Sequence, residues 1–235
     1  MSNSASYIPR LYGRRQDKPL KPRQAQLMET RLDALRVPLV EGESLILSDL
    51  FAQKEEVWLE IGFGGGEHLA WQARENKNVG MIGAEPFING VAKLVTHIED
   101  GALENIRIHH GDARPLLEAI PSQALSRIFV LHPDPWPKSR HHKRRMISPW
   151  FFTEAARVVK PGGILRVASD ISGYITWTLM HASNQPWFEW TAKRAGDWTD
   201  RREDWPQTRY ETKAIKEGRV ATYLEFERNK VPSAG

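Results

Sequence analysis

From Val57 onward the chain alternates short apolar runs with longer stretches whose apolar residues recur at helical spacing. Val57–Ile61, Gly80–Glu85, Ile106–His110, Arg127–Leu131 and Ile164–Ala168 are rich in β-branched and aromatic residues and read as strands. Helices are expected between them: about Glu67–Asn76, Phe87–Gly101, a short one over Arg114–Ile120, and Pro149–Lys160. In the second of these, Val91, Leu94, Val95 and Ile98 share one face. A further helix begins near Ile171, and Ala221–Phe226 reads as a late strand. Upstream, residues 23–36 look helical and Val37–Gln53 is ambiguous. Strict alternation of strand and helix predicts an α/β domain with a mostly parallel central sheet and helices on both faces. Residues 1–22 have no apolar periodicity and read as a flexible basic arm, leaving 23–235 as a single domain. Five tryptophans between Trp177 and Trp205 are expected in the core.

The turns after the strands carry the chemistry. The first strand ends in Gly62-Phe63-Gly64-Gly65-Gly66. A dinucleotide fingerprint needs a glycine three residues after its second one, where this chain has Glu67 or Leu69. Glu67 also sets an anion where a pyrophosphate would sit. Glu60 to Gly66 instead fits E-x-G-x-G-x-G, and so resembles the first motif of class I methyltransferases that use S-adenosylmethionine, a Rossmann-like class. That cofactor is a sulfonium and ammonium cation, which acids attract. Glu60, Glu85 and Asp112 end the first three strands and Asp134 follows the fourth. Strand-end acids are common as helix caps, but four in register behind a glycine turn favour a binding site.

Asp134 lies in LHPDPWPKSRHHKRR, residues 131–145. Pro133, Pro135 and Pro137 exclude a helix and a central strand, so Asp134 and Trp136 sit on a stiff loop at a strand end. A carboxylate and an indole held this way suit a planar base, although a buried indole can equally fill the loop. Lys138, Arg140, Lys143, Arg144 and Arg145 follow, interleaved with His141 and His142. Residues 1–26 add Arg10, Arg14, Arg15, Lys18, Lys21 and Arg23 against one acid, Asp17. Two basic patches on a chain with net charge of only +4 (33 basic, 29 acidic side chains) suggest local contact with a polyanion. The arm either joins that contact or is a solvated tail. The absence of cysteine excludes disulfides and thiol catalysis. With neither a long apolar run nor a leader pattern, a cytoplasmic location is expected, with no membrane partner. The histidines lack metal-ligand spacing, so no metal is expected.

These strings together, EIGFGGGEHL, IGAEPF, HHGDARPLL, PDPWPKSRHHKRR, RVASD and TRYETKA, closely resemble the bacterial tRNA (guanine-N7)-methyltransferase family across about Glu56–Phe226. The resemblance implies methyl transfer from S-adenosylmethionine to N7 of a tRNA guanine, the variable-loop guanine at position 46. It implies that Glu60, Gly62, Gly64, Glu85, Asp112 and Asp134 hold the cofactor, with Asp134 also catalytic. Lys138, Asp170, Thr208, Arg209, Tyr210 and Glu211 correspond to substrate-binding positions, and Arg140, His141, His142, Lys143, Arg144 and Arg145 to the RNA-contacting segment. One departure is His132, where an aromatic such as Phe is the more usual residue. Three alternatives remain open: a methyltransferase for an exocyclic amine, an RNA-binding module with a vestigial cofactor fold, and, disfavoured by Glu67, a nicotinamide-dependent oxidoreductase. Monomer and homodimer are both compatible with the sequence.

Overall fold

The computed structural model describes residues 17–230. Helix α1 (Pro22–Leu35) starts with proline at its first turn, where no N–H is needed. The rest of the predicted arm, residues 1–16, lies outside the described residues. Its last part is tied down: the Asp17 N–H donates to Asn89 Oδ1 at 3.0 Å, and Asn89 Nδ2 donates to the Lys18 carbonyl at 2.7 Å. The ambiguous segment contains one short turn, α2 (Leu47–Leu50).

The alternating core then runs β1 (Glu56–Ile61), α3 (Glu67–Glu75), β2 (Val79–Ala84), α4 (Ile88–Gly101), β3 (Ile106–His109), α5 (Ala113–Ala119) and β4 (Leu125–Leu131). After the proline loop and a 3-10 helix (Ser139–Arg144) come α6 (Pro149–Val158), β5 (Val159–Ser169) and α7 (Ser172–Ser183). A short strand β6 (Phe188–Trp190), the turn α8 (Gly196–Thr199), α9 (Arg209–Lys216) and β7 (Thr222–Arg228) close the chain. Among the described residues the strands form one seven-stranded sheet in the order β3-β2-β1-β4-β5-β7-β6. The first five are parallel; β7 is antiparallel to both β5 and β6.

The period of two along each strand divides the core between the sheet's faces. On β1, Leu59 and Ile61 pack with Leu116, Phe151 and Phe152, while Trp58 packs on the other face with Leu94, Ile106 and Phe129. The α4 residues Val91, Leu94, Val95 and Ile98 are all 2% exposed or less, as their spacing predicts. Of the crowded tryptophans Trp205 is buried, Trp177, Trp187 and Trp198 pack half-buried against the core, and Trp190 is 37% exposed. The strand order reverses between β1 and β4, so the loops leaving them part at their carboxyl ends. Open α/β sheets bind ligands in such a crevice.

Candidate active site at the carboxyl ends of the strands

Two adjoining clefts occupy that crevice, sharing Gly62, Gly64 and His132. One, of about 280 Å³, is lined by Glu85, Asp112, Arg114, Asp134 and Trp136. The other, of about 400 Å³, is lined by Glu60, Glu67, Lys93, Arg209 and Tyr210.

The glycine turn is shaped by what packs beneath it. A Cβ on Gly66 would meet Leu94 Cβ at 2.8 Å, and one on Gly90, in α4, would meet the Gly64 carbonyl oxygen at 2.2 Å. Bare backbone at these points lets the turn fold down onto α4. Glu85 then clamps it: Oε2 accepts the Gly64 N–H at 2.8 Å and Oε1 the Phe87 N–H at 2.9 Å. Burial pushes the Glu85 carboxyl up to about 7, against these two bonds and with help from the charges of Asp134 and Glu60.

Glu60 is 2% exposed, and its Oε2 lies 2.7 Å from His68 Nδ1. The Gln72 amide nitrogen reaches both the Asp204 carbonyl at 2.8 Å and His68 Nε2 at 3.2 Å. This network assigns the His68 proton to Nδ1, facing Glu60. A buried carboxylate at the floor of the cleft is thus held by a histidine eight positions on, in the first turn of α3. Asp112 is the N-cap of α5, accepting the Arg114 N–H at 3.0 Å, and also meets that residue's guanidinium at 2.8 Å.

The proline loop presents Asp134 differently. Its prolines fix φ near −65°, and the turning falls on two of the residues that precede them: His132, before Pro133, and Trp136, before Pro137, take φ of +47° and +40°. No donor among the described residues hydrogen-bonds to the Asp134 carboxylate. The side chain keeps an open face at the cleft mouth, yet enough protein surrounds it to hold its pKa above the ordinary aspartate value. An acceptor without a partner at the edge of a cleft is available to a ligand. Trp136 is engaged within its own loop: the Arg144 guanidinium lies 4.9 Å from its ring centroid and His141 meets it edge-on.

The basic run has a structural member. Arg145 is 6% exposed; its Nε donates to the Pro135 carbonyl at 2.9 Å and its guanidinium lies 4.9 Å from the Trp177 ring. His142 packs on the same indole at 5.1 Å. These two residues dock the segment on α7, and Lys138, Arg140 and Lys143 are left facing solvent. In Thr208-Arg209-Tyr210-Glu211, Thr208 and Glu211 form a reciprocal capping box that starts α9. Glu211 is buried and also accepts the Tyr223 hydroxyl at 2.5 Å, so of these four residues Arg209 and Tyr210 are the exposed ones at the second cleft, beside Lys213. Asp170, at the end of β5, accepts Arg219 Nε at 2.6 Å. Gly90, His68 and Lys93 lie at the site without having been legible as site residues: each sits alone inside a helical pattern.

A glycine turn clamped by a strand-end carboxylate, with acids closing the other strands at the switch point of a 3-2-1-4-5-7-6 sheet, defines a Rossmann-like methyltransferase. Residues 54–224 match the family model described as "Putative methyltransferase". The chain is 49% identical to the tRNA (guanine-N(7)-)-methyltransferase of Rhodospirillum rubrum over 93% of its own length and 88% of that protein's. It is 48% identical to the protein of that name from Ruegeria pomeroyi, over 97% and 99%. Among solved structures, the 16S rRNA methyltransferase KamB superposes with a TM-score of 0.55 at 17% identity, over 78% of this chain and 92% of that one. An rRNA methylase from Streptococcus thermophilus gives 0.52 at 10% identity, over 78% and 92%; at such identities both speak for the fold alone. The chain belongs to the tRNA (guanine-N7)-methyltransferase family.

Proposed function

We propose that this protein transfers a methyl group from S-adenosylmethionine to N7 of a guanine in tRNA, the variable-loop guanine at position 46. The observation that carries the reading is the Asp134 carboxylate, unpartnered at the cleft mouth beside a clamped glycine turn. Residues 23–235 form the catalytic domain, working in the cytoplasm where tRNA is found.

The acids and the bare backbone fit such a cofactor. Glu85 has acceptor capacity for ribose hydroxyls beyond its two backbone bonds, and Asp112 and Asp134 face the same cleft. Gly62 and Gly64 allow close approach, and the Glu60–His68 pair adds negative charge beneath the turn. S-adenosylmethionine, when bound, supplies an electrophilic methyl on a sulfonium centre. Guanine N7 carries a lone pair and no proton, so no residue has to act as general base. The base becomes cationic, and the Asp134 carboxylate stabilises that charge or accepts the N–H groups of the guanine's Watson–Crick edge. Asp170, Arg209 and Tyr210 complete the base site, with Thr208 and Glu211 serving through the helix they cap. Phosphates are held by Lys138, Arg140 and Lys143, whose segment is kept in place by His141, His142, Arg144 and Arg145.

Two expectations follow from the electrostatics. Ribose hydroxyls donate to ionised Glu85, so binding favours the charged form of a group that titrates near pH 7. The dissociation constant of S-adenosylhomocysteine is therefore about tenfold weaker at about pH 6 than on the alkaline plateau. Glu85→Gln binds weakly with no such slope; calorimetric titration across pH checks both. Replacing Lys138 and Arg140 together by alanine raises KM for tRNA about tenfold. It also reduces the logarithmic salt slope of binding by about 1.5, with cofactor affinity kept; an unchanged salt slope would make these cations a solvated face. The reaction itself is tested with a tRNA transcript carrying 7-deazaguanine, which has no N7 to methylate. Label incorporation is expected to vanish, and persisting incorporation would exclude N7 as the acceptor. Changing only the variable-loop guanine tests the position in the same assay.

A further inference from the structure

Behind the Asp134 loop lie three buried polar atoms with no hydrogen-bond partner among the described residues: both ring nitrogens of His132 and Oδ1 of Asp170. The two side chains are 6% and 1% exposed, and His132 Nδ1 stands 3.6 Å from that oxygen, too far for a hydrogen bond. A buried polar atom left without a partner is costly, because it has given up its water and gained nothing in return. Three in one place are open to the donors and acceptors of a ligand. The location agrees, because His132 lines both clefts where they meet. Its backbone is held at positive φ and its N–H bonds the Ala168 carbonyl at 2.8 Å, so the ring has a fixed station. Tyr210 covers the ring, with centroids 4.8 Å apart and planes at 37°. Tyr210 is itself 47% exposed.

We propose that His132 is a positioning residue for methyl transfer: as a neutral imidazole it turns one N–H to Asp170 Oδ1 and holds that carboxylate, under Tyr210, to receive the guanine. The inference rests on the tRNA methyltransferase reading above and deepens it. Hydrogen bonds that are long in the free enzyme tighten when substrate binds, and closing this gap by about half an ångström makes the bond. The neutral form matters. An imidazolium would pair fully with Asp170 and compete with the base's N–H donors. Burial favours neutral His132, opposed by the charges of Glu211 and Asp170. The groups facing it are Asp170 at the end of β5, Arg219 bound to that aspartate, Tyr210 and Glu211 from α9, and Asp134 on its own loop.

The test compares wild type with His132→Asn and His132→Phe in methyl transfer to tRNA, from about pH 5.5 to about pH 8. Asparagine keeps an N–H donor, does not titrate and tolerates positive φ; phenylalanine keeps the ring against Tyr210 without a donor. In the wild type, KM for tRNA is expected to rise about tenfold per pH unit below the His132 pKa. His132→Phe raises KM about tenfold at neutral pH with S-adenosylhomocysteine affinity and melting temperature retained. His132→Asn recovers most of that loss and lacks the acid limb in KM. Equal effects of the two substitutions, or KM and cofactor affinity moving together, would reduce His132 to packing and overturn the proposal. Histidine nitrogen NMR of the wild type supplies a second measurement. Its His132 signals should shift on tRNA addition, and unchanged signals also overturn the inference. An inactive wild type would instead sink the methyltransferase reading, while an active one with a KM flat across pH sinks this inference alone.

Discussion

Asp134→Asn is expected to lower kcat by about 10²- to 10³-fold while changing the affinity for S-adenosylhomocysteine by no more than about threefold. The substitution is nearly isosteric, so the proline loop keeps its course. It removes a negative charge beside a base that becomes cationic during the reaction. Removing one oriented electrostatic partner of a transition state typically costs about 3–4 kcal/mol, which sets the scale. The cofactor is expected to be spared because the proposed cofactor groups, Glu85 and the glycine turn, line the same cleft and keep their mutual hydrogen bond. Stability should move the other way. Burial raises the Asp134 pKa above its unfolded value, so its contribution to folding is present at acid pH and lost as pH rises. At neutral pH the asparagine variant therefore melts no lower than the wild type. Equal losses in turnover and cofactor affinity would show that Asp134 mainly holds the cofactor.

Gly90→Ala carries the second large effect, and it acts through backbone alone. Gly90 lines neither cleft, but its added Cβ would come within 2.2 Å of the Gly64 carbonyl oxygen and 3.3 Å of Glu85 Cγ. Neither α4, whose Val91, Leu94 and Val95 are fully packed, nor the clamped turn can yield cheaply. Overpacking of this kind costs about 1–3 kcal/mol. Here the strain falls on the turn proposed to carry the cofactor, and affinity is expected to fall about a hundredfold. The helix itself gains from alanine's better propensity, so thermal unfolding shifts little. Unchanged affinity in a cofactor titration would mean that the turn is not held by α4.

These two residues differ in how far they can be read from sequence. Asp134 stands in a string of prolines after an apolar run, and local rules suffice to place it on a rigid loop at a strand end. The same holds for Glu85 and Asp112, because buried parallel strands are continuous apolar runs and their ends are sharp. Gly90 reads only as a flaw in a helix; its meaning is a contact with residue 64, on another element. Arg145 is indistinguishable in sequence from Arg144, yet it is folded in against Trp177 because the loop carbonyls of Pro135 and Trp136 need a donor. The C-terminal third was least legible. Strand β6 has three residues, and the face that α9 buries carries Glu211 and Ala214 rather than large apolar side chains. The capping box in Thr208–Glu211 was the available signal for α9, hidden inside a string that resemblance tied to substrate binding. The tryptophans misled for a different reason. Bulk and apolarity predict burial, whereas Trp190 and Trp198 pair with each other at the surface, 5.3 Å apart.

The proposed methylation of N7 of a tRNA guanine is tested most directly by methyl transfer from labelled S-adenosylmethionine to total tRNA, followed by digestion to nucleosides and identification by mass and chromatographic position. Label in 7-methylguanosine is the expected result. Label in an N2- or N6-methylated nucleoside, or none in tRNA despite intact cofactor binding, would contradict it.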